Sequence, residues 1–146
     1  MRLVATGSRA LTEVHVPQLR LFLRTVLRAH VPYETGFVFG HGAQRGADTL
    51  LADALAWCAS REPALWMPER PFPARWKSEG AAAGPKRNRR MFDAIQPTYF
   101  VAAHTREDLG RGTRDMIHNV LLPVGVPGAL LLLDAAGNMV RIQQWP

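Results

Sequence analysis

Four short clusters combine glycine with polar or cationic side chains: residues 6–9, 41–48, 84–88 and 110–115. Glycine lets backbone amides come close to a phosphate, and a helix N-terminus supplies unpaired N–H donors with a partial positive charge. Arginine adds a planar fork of donors that matches the oxygens of a phosphate. The clusters together predict a site for a small phosphorylated ligand.

The candidate ligand-binding residues come from these clusters and from one tryptophan between them. They are Gly7, Ser8, Arg9, His41, Gly42, Arg45, Gly46, Asp48, Trp76, Arg87, Asn88, Gly110, Arg111, Gly112 and Thr113. We expect the backbone of residues 110–113 to hold a phosphate, Asp48 to bind ribose hydroxyls and Trp76 to stack on a base. Each of these side chains also has a purely structural interpretation. Thr113 could serve only as a helix cap, Asp48 could complement a helix dipole, and Trp76 could fill the core.

Short apolar runs alternate with amphipathic segments, which is typical of βαβ units and a parallel sheet. The pattern predicts strands at residues 3–6, 37–39, 64–67, 98–102, 129–133 and 139–143, and helices at 14–30, 47–61, 85–95 and 113–122. Prolines are dense early in residues 68–84, so we expect no regular structure in the first half of that segment, which would form a lid-like loop. The glycine clusters follow strands or begin helices, which places them at the edge of the sheet where such folds bind ligands.

The composition indicates a single globular domain spanning residues 1–146. Of the 146 residues, 47% are hydrophobic, and the net charge of +6 favours an anionic partner. Cys58 is the only cysteine, so no internal disulfide can form, and its apolar neighbours indicate core packing. The five histidines lack the spacing of metal ligands, and no apolar run is long enough to cross a bilayer. We expect a cytoplasmic protein with no membrane association, metal or cofactor.

A longer series of motifs occurs in order along nearly the whole chain. It consists of Gly7-Ser8-Arg9, Gly42, Arg45-Gly46-Ala47-Asp48, Trp76, Gly80, Ala83-Gly84-Pro85, Arg87-Asn88, Met91, Gly112-Thr113 and Asp115-Met116. This series resembles the YspA-like branch of the SLOG superfamily, which also includes the cytokinin-activating LOG phosphoribohydrolases and the DNA-processing protein DprA. The resemblance implies a Rossmann-like three-layer α/β/α fold with a mostly parallel sheet, a nucleotide or nucleotide-derived ligand, and a homodimer or higher homo-oligomer.

The resemblance to the LOG enzymes is partial. Arg87 keeps the position of their catalytic arginine, and Gly110-x-Gly112-Thr113 keeps most of their phosphate loop. Asp108-Leu109 replaces the Pro-Gly that precedes that loop, and the position of the catalytic glutamate falls on Met116, which cannot act as a carboxylate does. The catalytic candidates implied by this resemblance are Arg87 and, as a substitute for the glutamate, Asp115.

Three functions follow from these observations. The first is a sensor or sequestering module that binds a nucleotide-like ligand without turnover. The second is an N-glycoside hydrolase in which Asp115 or Asp48 replaces the missing glutamate. The third is nucleic-acid binding, suggested by the net charge and the kinship with DprA. It ranks last because many arginines are spread along the sequence rather than concentrated, namely Arg2, Arg20, Arg24, Arg28, Arg61 and Arg141.

Overall fold

A computed structural model describes residues 1–30, 36–105 and 109–146. Its six strands form one sheet in the order β3-β2-β1-β4-β5-β6, in which all neighbours are parallel except β5 and β6. The strands are β1 (Arg2–Gly7), β2 (Val38–His41), β3 (Glu69–Pro71), β4 (Tyr99–His104), β5 (Gly128–Leu133) and β6 (Met139–Trp145). This strand order is that of the doubly wound nucleotide-binding folds.

The helical elements connect these strands. They are α1 (Val16–His30), α2 (Ala47–Arg61), α3 (Trp76–Glu79), α4 (Ala83–Ile95) and α5 (Arg111–Arg114). The helix that begins with α5 continues without a break as a π-helix over Asp115–Leu121 and ends in a 3-10 turn over Leu122–Val124. Further 3-10 turns cover Glu13–His15, Pro63–Leu65 and Gly80–Ala82.

Two apolar cores lie on opposite faces of the sheet. On one face, Leu19, Leu23 and Leu27 of α1 pack with α2, and Cys58 is buried there as expected. On the other face, Met91 of α4 packs with the apolar residues of the π-helix, such as Ile117. The central strands are buried on both faces, and all six residues of β5 are buried. The predicted Rossmann-like α/β fold with its mostly parallel sheet is therefore confirmed.

The third strand was predicted in the wrong place. Residues 63–65 form a 3-10 turn that begins with a proline, and Leu65 and Met67 are buried in the core beside α2 instead of pairing in the sheet. The strand that pairs with β2 on the side opposite β1 is β3, inside the segment expected to lack regular structure. Its proline is tolerated because β3 lies at the edge of the sheet, where one row of N–H groups has no strand to meet.

Helix starts also differ from the sequence prediction. The helix expected to begin at Thr113 begins at Arg111 with Gly110 as its N-cap, so Thr113 is the third helical residue and not the cap. Helix α4 begins at Ala83, two residues before the predicted proline start. The capping alternative for Thr113 was therefore wrong.

Asp108, one of the two residues that replace the Pro-Gly of the LOG phosphate loop, lies outside the described residues. Within the described ranges no helix is long and apolar enough to span a bilayer.

The burial pattern of α1 predicts how its leucines contribute to stability. Leu23 is fully buried in the first core, whereas Leu21 on the same helix is 59% exposed. We expect Leu23→Ala to lower the free energy of unfolding by about 2–5 kcal/mol, because the truncation leaves a cavity in a packed core. Leu21→Ala, the matched control, should change it by less than about 0.5 kcal/mol. Urea unfolding of both variants measures the difference, and equal effects would contradict the assigned face of α1.

Candidate functional site

A cavity of about 810 Å³ opens at the carboxyl-terminal edge of the sheet. It lies where the chain leaves β1 towards one face and β4 towards the other, which is the topological switch point of the fold. The predicted residues that line it are Gly7, Ser8, Arg9, Trp76, Arg87, Gly110, Arg111, Gly112, Thr113 and Asp115. The sequence clusters at 6–9 and 110–115, together with Arg87 of the cluster at 84–88, therefore meet in one concave site of the size that small ligands occupy.

The loops at this edge are packed backbone against backbone. The N–H of Ser8 donates to the carbonyl of Ala103 at 2.9 Å, and the N–H of Ala47 donates to the carbonyl of Ser8 at 2.9 Å. A Cβ on Gly7 would overlap the Ala103 carbonyl, and one on Gly46 would overlap the Ser8 carbonyl. Gly46 thus does not line the cavity, but its lack of a side chain allows the loops after β1 and β2 to touch.

The first turn of the helix that begins at Arg111 offers free donors to the cavity. Within the described part of the chain, the N–H groups of Arg111, Gly112 and Thr113 have no hydrogen-bond partner. The preceding N–H, that of Gly110, donates to Nε2 of His104 at 3.2 Å. Unpaired amides and the positive end of a helix dipole together favour an anion at this position.

Arg87 is buried in the cavity wall and is held in place by the protein itself. Its Nη1 donates to the carbonyl of Gly42 at 2.6 Å and more weakly to that of Phe72 at 3.4 Å, and its Nε donates to Oδ1 of Asn88 at 2.9 Å. Within the described residues no partner occupies Nη2, which is the nitrogen left for a ligand. Burial lowers the pKa of Arg87, and the carboxylate of Asp48 opposes that shift.

Asp115 is the one acidic side chain among the lining residues that the structure describes. Its Oδ2 accepts a hydrogen bond from Nδ2 of Asn88 at 3.0 Å, and its Oδ1 accepts one from Nδ2 of Asn119 at 3.2 Å. The next residue, Met116, is fully buried in the second core, because successive helical side chains are rotated by roughly 100°. The position aligned with the LOG glutamate therefore faces the core, and Asp115 brings a carboxylate to the cavity.

Trp76 forms an aromatic wall at the start of α3. Its side chain is 48% exposed, so it does not fill the core, and the guanidinium of Arg9 lies 5.7 Å from its ring centroid. Arg9 is fixed from the other side because its Nε donates to Oε1 of Gln44 at 2.8 Å. The wall therefore presents an aromatic face beside a cation, which suits a nucleobase next to a phosphate.

Several predicted residues are not at the cavity surface. His41, Gly42, Arg45, Gly46, Asp48 and Asn88 do not line it. The Nδ1 atom of His41 accepts from the N–H of Ala43 at 3.0 Å, so Nε2 carries the proton that is donated to Glu69 at 2.6 Å. Both ring nitrogens of His41 are therefore occupied by hydrogen bonds within the protein, one to the loop after β2 and one to β3. Arg45 is exposed to solvent and does not line the cavity.

Asp48 and Gly42 act behind the cavity wall. Asp48 is buried, and desolvation raises the pKa of its carboxyl, an effect opposed by the charge of Arg87 and by the N–H groups of Gln44 and Gly42. A Cβ on Gly42 would overlap Nη1 of Arg87 and come within 2.7 Å of Oδ2 of Asp48. Asp48 thus lies behind the cavity wall, where its carboxyl interacts with the charge of Arg87, and it is not among the lining residues.

Some lining residues were not among the candidate ligand-binding residues predicted from the sequence. They are Gln44, Ala81, Gly84, Pro85, His104, Arg114 and Asn119. A usable signal existed for His104, because it is the polar residue that ends a buried parallel strand. Among the described residues, the charged side chains that line the cavity are Arg9, Arg87, Arg111 and Arg114 against Asp115, so the site favours an anion. In the described ranges no cluster of histidine, cysteine or carboxylate side chains could hold a metal ion.

The contact between Gly42 and Arg87 predicts a difference between two glycine substitutions. We expect Gly42→Ala to lower the free energy of unfolding by about 1–3 kcal/mol, because the guanidinium that it displaces is buried and tied to backbone carbonyls. Gly112→Ala is the matched control, since a Cβ there meets no atom within 4 Å. Urea unfolding measures both. A Gly42→Ala protein as stable as the unmodified chain would show that Arg87 can leave its position without cost.

Comparisons of the chain with protein-family models, with curated proteins and with solved structures each found no match. The resemblance to the SLOG superfamily therefore stays a prediction from the motifs, whereas the Rossmann-like fold is given by the strand order and the layers.

Proposed function

We propose that the cavity binds a small phosphorylated, nucleotide-like ligand and that the protein acts as a sensor or sequestering module. One observation carries this proposal: in the described part of the chain, the unpaired amides of residues 111–113 and four arginines line a single cavity at the switch point of the sheet. The amides provide the geometry for phosphate oxygens, and the arginines provide the charge.

Different walls of the cavity bind different parts of the ligand. The phosphate lies at the helix start, where it accepts hydrogen bonds from Gly112 and Thr113 and pairs with Arg111. The base stacks on Trp76, whose ring is open to solvent. The carboxylate of Asp115, an acceptor only, takes hydrogen bonds from sugar hydroxyls. Asp115 thereby replaces Asp48 in the role predicted for a ribose-binding residue.

Native mass spectrometry of protein purified from cells tests the proposal directly. We expect a retained small molecule whose mass fits a nucleotide derivative, and the same spectrum gives the mass of the assembly and so tests the expected homodimer. Titration calorimetry with AMP and with ADP then measures saturable binding. Absence of any retained molecule together with no heat from either nucleotide would contradict the proposal.

Substitution of Arg111 should weaken nucleotide binding selectively. We expect Arg111→Ala to raise the Kd for AMP or ADP roughly 10- to 150-fold, the effect of one lost hydrogen bond to a charged group. Arg45→Ala is the matched control, because Arg45 is a nearby exposed arginine outside the cavity. Calorimetry compares the two variants. Equal weakening by both would indicate a general charge effect with no specific phosphate site at the helix start.

A second function, hydrolysis of an N-glycosidic bond, is favoured by the environment of Asp115. Its carboxylate lines the cavity and is oriented by the amides of Asn88 and Asn119. In this reaction the bond between C1′ and the base nitrogen breaks, and water adds to C1′. Asp115 takes one proton from that water, or it stabilises the positive charge on the sugar while the water loses that proton to solvent. The departing base takes up one proton from solvent, so the net reaction consumes one water.

Product analysis separates the two functions. Incubation with AMP followed by chromatography shows adenine and ribose 5-phosphate if the protein is a hydrolase and unchanged AMP if it is a binder. For a hydrolase, we expect Asp115→Asn to lower the rate of base release at least 100-fold, the usual scale of acid–base catalysis. Asp48→Asn tests whether Asp48, the other carboxylate considered as a replacement for the missing glutamate, takes part in base release. An unchanged rate of base release in Asp115→Asn would show that Asp115 is not a catalytic residue.

A further inference from the structure

Three arginines of α1 and one arginine of α2 lie together on the outer surface of these two helices. Arg20, Arg24 and Arg28 are spaced four residues apart, so they form one row along α1. The guanidinium of Arg20 lies 5.0 Å from the ring centroid of Trp57 in α2, and that of Arg61 lies 4.5 Å from the same ring. We call these four arginines and Trp57 the basic surface.

The basic surface has fewer acidic than basic groups. Glu62 accepts hydrogen bonds from both Arg24 and Arg28, so one carboxylate serves two guanidinium groups. Within the described residues, Arg20 and Arg61 have no carboxylate partner. Asp53 is exposed on α2 one turn before Trp57, and within α1 and α2 it is the one exposed acidic side chain. The surplus positive charge favours binding of an anionic partner.

Aromatic rings accompany these charges. Trp57 is half-buried between the two helices, and Trp66 is 63% exposed just after the 3-10 turn that follows α2. Because the guanidinium groups of Arg20 and Arg61 already rest on Trp57, they lose less freedom when they bind a phosphate. Cations combined with an open aromatic ring are the features that bind single-stranded nucleic acid, whose bases are free to stack.

We propose that the basic surface binds single-stranded nucleic acid, with the four arginines on the phosphates and Trp66 stacked on a base. A duplex fits less well because its bases are stacked inside and cannot reach Trp66. None of the four arginines lines the cavity, so this site is separate from the proposed nucleotide site. The charges that are dispersed in the sequence are thus brought together by the packing of α1 on α2.

Fluorescence anisotropy with a labelled oligothymidylate tests the proposal on the full chain. We expect saturable binding and a roughly tenfold or greater loss of affinity in Arg61→Glu, a residue that makes no hydrogen bond in the described structure. Loss of one phosphate contact should also reduce the slope of log affinity against log salt by about 0.7. Arg89→Glu is the matched control, because Arg89 is exposed on α4, on the opposite face of the sheet.

Two further measurements identify the site. Trp66→Ala should weaken oligothymidylate binding roughly fivefold or more, as expected for the loss of one stacked base, and excess AMP should not displace the oligonucleotide. The proposal is overturned by no saturable binding, by equal losses in Arg61→Glu and Arg89→Glu, by displacement with AMP, or by a duplex that binds as tightly as the single strand. Displacement by AMP would show that the oligonucleotide binds in the cavity. That result would contradict the proposal for the basic surface but not the proposed nucleotide site, so the experiment distinguishes failure of one proposal from failure of the other.

Discussion

The close approach of backbone segments at the carboxyl ends of β1, β2 and β4 is the constraint on which the site depends. Ser8 connects the three strands because its N–H bonds to the end of β4 and its carbonyl bonds to the start of α2. A side chain on Gly7 or Gly46 would force these segments apart. The glycines therefore set the spacing of the loops that form the cavity walls, whether or not they touch a ligand.

In the cavity wall, the buried charge of Arg87 organises the β2–α2 loop and the start of α4. Burial of a guanidinium is costly unless its donors are satisfied, and the described residues satisfy Nε and Nη1 of Arg87 with Asn88 and backbone carbonyls, leaving Nη2 for a ligand. Asn88 in turn contacts Asp115, so the cation and the carboxylate that line the cavity belong to one hydrogen-bonded chain. A substitution at Gly42 that displaces Arg87 would therefore also affect Asp115, through the hydrogen bonds of Arg87 to Asn88 and of Asn88 to Asp115.

Two groups of arginines stand in different surroundings. Among the described residues, the arginines of the cavity stand beside free helix amides and the carboxylate of Asp115, an arrangement that suits the phosphate and hydroxyl groups of our proposed ligand. On α1 and α2, arginines stand beside tryptophans on an open surface, which suits an extended polyanion. Net charge alone cannot separate these cases, because it carries no information on the shape of the surface.

The sequence by itself determined the fold class and the edge of the sheet that carries the site. Apolar periodicity identified α1, α2 and the buried strand β5, because the burial that stabilises these elements repeats at short, regular spacing. It misplaced β3, where an apolar run packs in the core without pairing. Only the tertiary structure decided that Asp115 faces the cavity while Asp48 lies behind it, and that Arg20 and Arg61 share one ring. Those outcomes depend on helix rotation and on contacts between distant residues, and local spacing does not encode either.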